Sequence, residues 1–349
     1  MTNDQFSGPL FVVGLWRSGT SLLYTLLNQH PQIALTYESD LFLLRSLFGG
    51  GARHDWFERW EFWNSGPSRH GIDRDSVPAE VADYPTVAEF VWKQHAGDAI
   101  YGDKSPNYYD SMQKLARTFP GARFIVIWRD LADTCRSILR AANGSSFFAK
   151  HGIAHRALIG SRRMKRQCDA LIRRNVPVHQ IQYEELIDSP ETVMRGVCWF
   201  LQIPFDPRMA TLAGADRSAI YEAPQHTGVK GERIAREAQR EEVLPVEFRD
   251  KIARYVTLWK KESRGTWPVY SRSGAASPGL LERLADEAQY LRFRAFDRFT
   301  ALVYCHAPMA WLRRYRENKT PLAGTRSVGQ SAAGKSSALP QVEEVSPRS

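Results

Sequence analysis

Residues Leu10 to Leu15 form a continuous apolar run that leads into the turn Gly14-Leu-Trp-Arg-Ser-Gly-Thr-Ser21. An apolar run closed by a glycine-bearing turn suits a strand buried on both faces, as in a parallel sheet. Past the turn, Leu22, Leu23, Leu26 and Leu27 recur at helical spacing, and Pro31 follows the helix. Strand, turn and helix in that order aim backbone N–H groups and a positive helix end at one point, which makes an anion site. Gly19 lets the backbone approach a phosphate closely. Ser18, Thr20 and Ser21 bring hydroxyls, and Arg17 adds a charge and a donor fork. Gly14 and Gly19 keep the spacing of the nucleotide-triphosphatase loop G-x-x-x-x-G-K-[ST]. Thr20, however, stands where that loop has lysine, and the cation is Arg17 inside the loop. This argues against ordinary kinase or ATPase use of the site.

Four more stretches read as strands: Ile33 to Tyr37, which leads into Glu38; Ile100 to Lys104; Ala122 to Trp128; and Val178 to Tyr183. Between them, Asp130 and Asp133 open a helix that runs to about Ala142, with acids at its positive end. Arg156 to Asn175 reads as a basic, mostly solvent-facing helix, and Pro190 to Leu201 as a helix with proline near its start. Strands alternating with helices predict an α/β fold, a P-loop-type parallel sheet flanked by helices. The expected organisation is an α/β domain over 1–275, a helical extension over 276–318 and a disordered tail over 319–349. The tail has no aromatic residue and is dominated by Gly, Ser, Pro and Ala.

The chain has 349 residues and a net charge of +9, which suits anionic partners such as nucleotide phosphates or an anionic membrane. No recognisable nucleic-acid motif accompanies the charge, so a nucleic-acid partner is not expected. Cys135, Cys168, Cys198 and Cys305 form no C-x-x-C pair and have no His cluster beside them. Zinc and redox motifs are therefore unsupported, and buried free thiols in a reducing, cytoplasmic setting are the expectation. The N-terminus lacks a signal-peptide pattern, and no run of 18 apolar residues occurs. The chain is expected to be soluble, or peripheral to a membrane. Tyr290 to Arg316 mixes aromatic residues with arginines. That mixture suits an anionic membrane, a partner or the protein's own core, with Pro308 breaking the helix. Trp56, Trp60 and Trp63 fall at helical spacing and read either as a packed helix or as an aromatic wall for a substrate.

The RSGTSLL turn resembles the 5′-phosphosulfate loop of the sulfotransferase superfamily, which uses 3′-phosphoadenosine 5′-phosphosulfate (PAPS). Arg129 and Ser137, eight residues apart in RDLADTCRS, resemble that superfamily's 3′-phosphate motif. The segment QYEELIDSPETVMRGVCWFLQIPFDP also resembles it, and the resemblance implies that Tyr183 lies near the adenine. The closer likeness is to the branch of tyrosylprotein and many bacterial enzymes. That branch has a glutamate about twenty residues past the loop arginine, like Glu38, and a lysine before a small residue and proline, like Lys104 in GDKSP.

The resemblance implies sulfuryl transfer to an acceptor hydroxyl or amine, a reaction in which positioning and charge stabilisation dominate. The acceptor hydroxyl needs a base, and Glu38 is the best candidate. Arg17 and Lys104 would supply the cations, so no metal is required. Asp103 is expected to be a structural partner of a nearby cation. HTGVKGER, from His226 to Arg233, has glycines bracketing Lys230, which suits a flexible lid over the 3′-phosphate. The acceptor is read as a small molecule, a glycan or a lipid-linked compound, with peptide tyrosine also open. The oligomeric state stays open too. Two rivals remain: a nucleotide kinase of similar architecture, and a non-catalytic nucleotide-binding protein.

Overall fold

The computed structural model describes residues 8–319, apart from 79–80, 82, 145–147, 149–151, 221–228, 230, 233, 235–243 and 263–275. Lys230 and residues 320–349 of the expected tail lie outside the described residues. Five strands form one sheet: β1 (Leu10–Gly14), β2 (Ile33–Tyr37), β3 (Ile100–Lys104), β4 (Arg123–Trp128) and β5 (Val178–Gln182). Their order is β2-β3-β1-β4-β5, and every pairing is parallel. The expected α/β sheet is therefore present, with β1 at its centre.

Strand periodicity sorts the apolar residues into two layers. Phe11, Val13, Phe124 and Val126 face one core, shared with Trp92, Tyr108 and Leu158. Leu10, Val12, Ile125 and Ile127 face the other, shared with Leu22, Leu26 and Val197. Helices thus cover both faces, as a parallel sheet of continuous apolar strands requires. All four cysteines are buried and free. Among the described residues no helix is long and apolar enough to cross a membrane.

The helix Ile153–Ile172 departs from its expected solvent-facing position. Arg156, Leu158, Gly160, Ser161 and Met164 are among its buried residues. It packs against the helices Leu131–Gly144 and Met112–Thr118, and the helix Leu280–His306 packs on it too and brings an acid to its arginine: Arg156 pairs with Asp297 at 2.6 Å. Leu280–His306 lies in the same compact unit, Met1–Ala307, as the sheet. Pro308 falls between it and the next helix, Met309–Lys319, which belongs to the second unit. In that second helix Trp311 and Tyr315 stack at 5.3 Å.

Candidate active site

In an open parallel sheet, ligand sites gather beyond the carboxyl ends of the strands. The phosphate loop, Glu38, Lys104, Arg129 and Tyr183 lie at that edge. The loop Leu15–Gly19 follows β1, Glu38 follows β2, Lys104 ends β3, Arg129 follows β4 and Tyr183 follows β5. Strand register then decides which of them meet. Tyr37 lies opposite Lys104, so Glu38 comes beside that lysine. Trp128 lies opposite Gln182, so Arg129 comes beside Tyr183.

The loop is held by its own hydrogen bonds. Ser18 donates to the Leu15 carbonyl through its hydroxyl at 2.7 Å and its backbone N–H at 3.1 Å. Arg17 takes a φ of 67° and Gly19 a φ of 99°, the second just before the helix Thr20–Leu27. Gly19 is required twice over. Its backbone is left-handed, and a Cβ there would lie 2.4 Å from Cδ2 of Tyr183. The first turn of the following helix carries no acid, which leaves its positive end open to an anion. Ser21 is engaged by the Tyr37 hydroxyl at 2.8 Å.

The loop, Arg129 and Ser137 form one assembly. Arg17 Nε donates to Ser137 Oγ at 3.0 Å, and an Arg129 guanidinium nitrogen donates to the Arg17 carbonyl at 2.9 Å. The Arg129 guanidinium lies 4.3 Å from the centre of the Tyr183 ring. Asp130 caps the helix Leu131–Gly144, accepting from the Asp133 N–H at 2.9 Å, and that helix carries Ser137. Glu184, the acid beside Tyr183, accepts the Asp130 N–H at 3.0 Å and so ties the ends of β4 and β5 together.

On the other side of β1, Glu38 Oε1 pairs with Lys104 Nζ at 2.7 Å. The two differ in access: the Lys104 side chain is fully buried, whereas that of Glu38 is 21% exposed. The Lys104 ammonium sits 3.4 Å from the centre of the Tyr37 ring, behind Glu38. Burial lowers the Lys104 pKa, and Glu38 opposes that shift. Asp103 partners no cation among the described residues. Its carboxylate accepts from Thr36 Oγ1 at 2.6 Å, from the Ser39 N–H at 3.1 Å and from the Tyr108 hydroxyl. The alternating direction of side chains along a strand turns Asp103 away from its neighbour Lys104.

One cavity of about 840 Å³ joins these parts. Arg17, Gly19, Thr20, Ser21, Arg129, Tyr183 and Val229 line it. Glu38 lines the same cavity, as do Phe42, Arg45, Trp63, Lys114 and residues of the helix Leu280–His306. Trp56 and Trp60 are core residues at 2% and 0% exposure, so of the three tryptophans Trp63 alone reaches the cavity wall. Arg45 and Lys114 flank the Phe42 ring at 4.7 and 5.6 Å. With Arg298 they make three cavity cations that form no ion pair among the described residues. Among the described residues no group of three or more His, Cys, Asp or Glu is placed to hold a metal ion.

Sequence reasoning missed Asp40, which lines the cavity two residues after Glu38. Both take left-handed backbone, φ 49° at Glu38 and 54° at Asp40. Asp40 accepts from Ser105 and Asn107 at 3.3 Å and from the Trp63 indole at 3.4 Å. Burial, then Glu38 and Asp103, raise its carboxyl from 3.8 to about 7. The folded protein therefore keeps a proton that the unfolded chain releases near pH 3.8. The stability this contributes is complete below that pH and is lost as pH rises toward 7. Asp40→Asn should flatten the fall in melting temperature across that window. A slope identical to that of the parent protein would remove Asp40 as the titrating group.

Protein-tyrosine sulfotransferase A of Caenorhabditis elegans is 26% identical over 222 residues, which span 59% of this chain and 53% of that protein. Protein-tyrosine sulfotransferase 1 of Danio rerio is 29% identical over 205 residues, 56% of this chain and 54% of that protein. The chain thus spans about half the length of these relatives. The sulfotransferase domain of the Synechococcus PCC 7002 olefin synthase superposes with a TM-score of 0.47 at 19% identity, covering 65% of this chain and 84% of that domain. The Sulfotransferase family matches residues 9–207, more than half of the chain and the whole stretch from Arg17 to Tyr183; the chain belongs to that family, as its phosphate loop implied.

Proposed function

We propose that the protein transfers a sulfuryl group from PAPS to an acceptor hydroxyl or amine. The observation that carries this reading is that Glu38 lines the same cavity as the phosphate loop. The donor supplies an activated sulfuryl group, and the residues present fit it. The loop amides, Thr20 and Arg17 suit its 5′ end, Arg129 and Ser137 its 3′-phosphate, and the Tyr183 ring its base.

Glu38 accepts the proton of the acceptor as the oxygen or nitrogen attacks. Lys104, behind it, fixes the carboxylate through a bond of 2.7 Å and so acts on Glu38 rather than from the cavity wall. Arg17 and the loop N–H groups stabilise the negative charge that grows on the departing phosphate. The kinase alternative lacks its lysine, since Thr20 holds that place. The names of the relatives suggest a protein tyrosine as acceptor. The three cavity cations without acidic partners favour an acceptor bearing an anionic group near the reacting hydroxyl. A small molecule, a glycan and a lipid-linked compound can each meet that demand.

Adenosine 3′,5′-bisphosphate should raise the melting temperature well above the effect of ATP at equal concentration, because ATP lacks the 3′-phosphate that Arg129 and Ser137 suit. Equal shifts would remove this assignment. Labelled PAPS incubated with an acceptor extract should label a product. A bisphosphate shift with no transfer to any acceptor would favour a non-catalytic nucleotide-binding protein.

A further inference from the structure

The helix Leu280–His306 is amphipathic in the reverse of the usual sense. A surface helix normally turns its apolar stripe to the core and its charges to solvent. Here all four acids of the helix point inward and are paired. Glu282 meets Arg254 at 2.6 Å, Glu287 meets Arg163 at 2.7 Å, and Asp297 meets Arg156 at 2.6 Å. Asp286 is buried against Lys251 and the Tyr255 hydroxyl. The outward face carries Leu281 at 82% exposure, Leu284 at 57%, Leu291 at 54%, Phe299 at 64% and Leu302 at 49%. These positions follow the spacing of three and four residues that makes one stripe along a helix about 40 Å long. Arg292 and Arg298 are also exposed, and no acid of this helix is. An apolar stripe of this extent needs an occupant.

We propose that this face docks on the surface of an anionic lipid bilayer, with the helix lying in the interface plane. Charge complementarity selects the occupant: leucines and a phenylalanine enter the acyl boundary while arginines meet anionic headgroups. The inward ion pairs hold the helix on the domain, so it docks as a preformed surface and inserts no spanning segment. Arg298 and Leu302 belong both to this face and to the cavity wall. Docking therefore brings that part of the cavity wall to headgroup level. The docking itself does not rest on the proposed transfer chemistry.

The test uses the full chain and vesicles of phosphatidylcholine with or without phosphatidylglycerol. The protein should sediment with the anionic vesicles, several-fold less with the neutral ones, and less again at high salt. The triple variant Leu281→Gln, Leu284→Gln, Leu291→Gln should lose binding by at least about tenfold, because each leucine removed takes apolar burial with it. Its melting temperature and its response to adenosine 3′,5′-bisphosphate should stay as in the parent. Arg292→Gln should weaken binding to the anionic vesicles alone. Failure of the parent chain to bind either vesicle would overturn the proposal, as would a triple variant that binds as well as the parent. A parent chain that is dimeric in solution, ignores vesicles and becomes monomeric on the same three substitutions would assign the face to a second copy instead.

Discussion

Glu38→Gln should lower kcat by about 10²–10⁴-fold, the range expected for loss of a general base. The substitution keeps the size and hydrogen bonding of the side chain and removes the proton acceptor. Stability is affected as well as turnover. Lys104 is fully buried and Glu38 Oε1 is its partner at 2.7 Å. Breaking a buried pair from one side leaves an uncompensated charge, so stability should fall too, by up to about 3 kcal/mol. The two effects separate in the double variant Glu38→Gln, Lys104→Met. With the ammonium gone, stability should recover while turnover stays low. Recovery of turnover along with stability would mean that Glu38 serves only to neutralise Lys104. The decisive measurement is kcat at saturating donor and acceptor beside the melting temperature, on both variants.

Arg17→Ala should lower kcat by about 10²–10³-fold, the cost of removing one preorganised donor aimed at developing charge. Donor affinity should fall with it, because the Arg17 side chain also holds Ser137 at 3.0 Å. Arg17→Lys should recover only part of the rate, since an ammonium keeps the charge but not the fork. Single-turnover rates at saturating donor isolate the chemical effect from the binding effect. A rate within a few-fold of the parent at saturation would restrict Arg17 to binding.

Strands β1, β2 and β4 were legible because each is a short, mostly apolar run bounded by turn residues, a signal that survives without tertiary context, and the alternation with helices placed β3 and β5 beside them. The loop was legible because glycine, arginine and hydroxyls in that order have few other uses. What stayed hidden depends on residues far apart in the chain. Arg156 looks like a surface charge until Asp297, 141 residues later, reaches it. Lys104 looks like a cavity cation until the register of Tyr37 against it sets it behind Glu38. Asp103 looks like the natural partner for a cation, yet its contacts are two hydroxyls and a backbone N–H. Asp40 carried no sequence signal, since its raised carboxyl comes from burial and from two neighbouring carboxylates. The reversed helix Leu280–His306 was legible as a mixture of aromatics and arginines. Which side faced out was decided by acids pairing with Arg163 and Arg254, 124 and 28 residues before their partners.

The left-handed backbone at Glu38 and Asp40 bears on how this protein responds to laboratory evolution. Non-glycine residues pay a conformational penalty in that region, and glycine or asparagine relieves it. A screen that rewards survival of heat and ignores product formation should therefore enrich Asp40→Asn early, because it relieves a buried acid as well as a strained turn. Glu38→Gly relieves its turn but leaves the buried Lys104 without its partner, so the same screen should pass it over. Libraries built for robustness would do best to hold the Asp40 codon fixed, since Asp40 lines the cavity beside the proposed base, and seek their gains elsewhere.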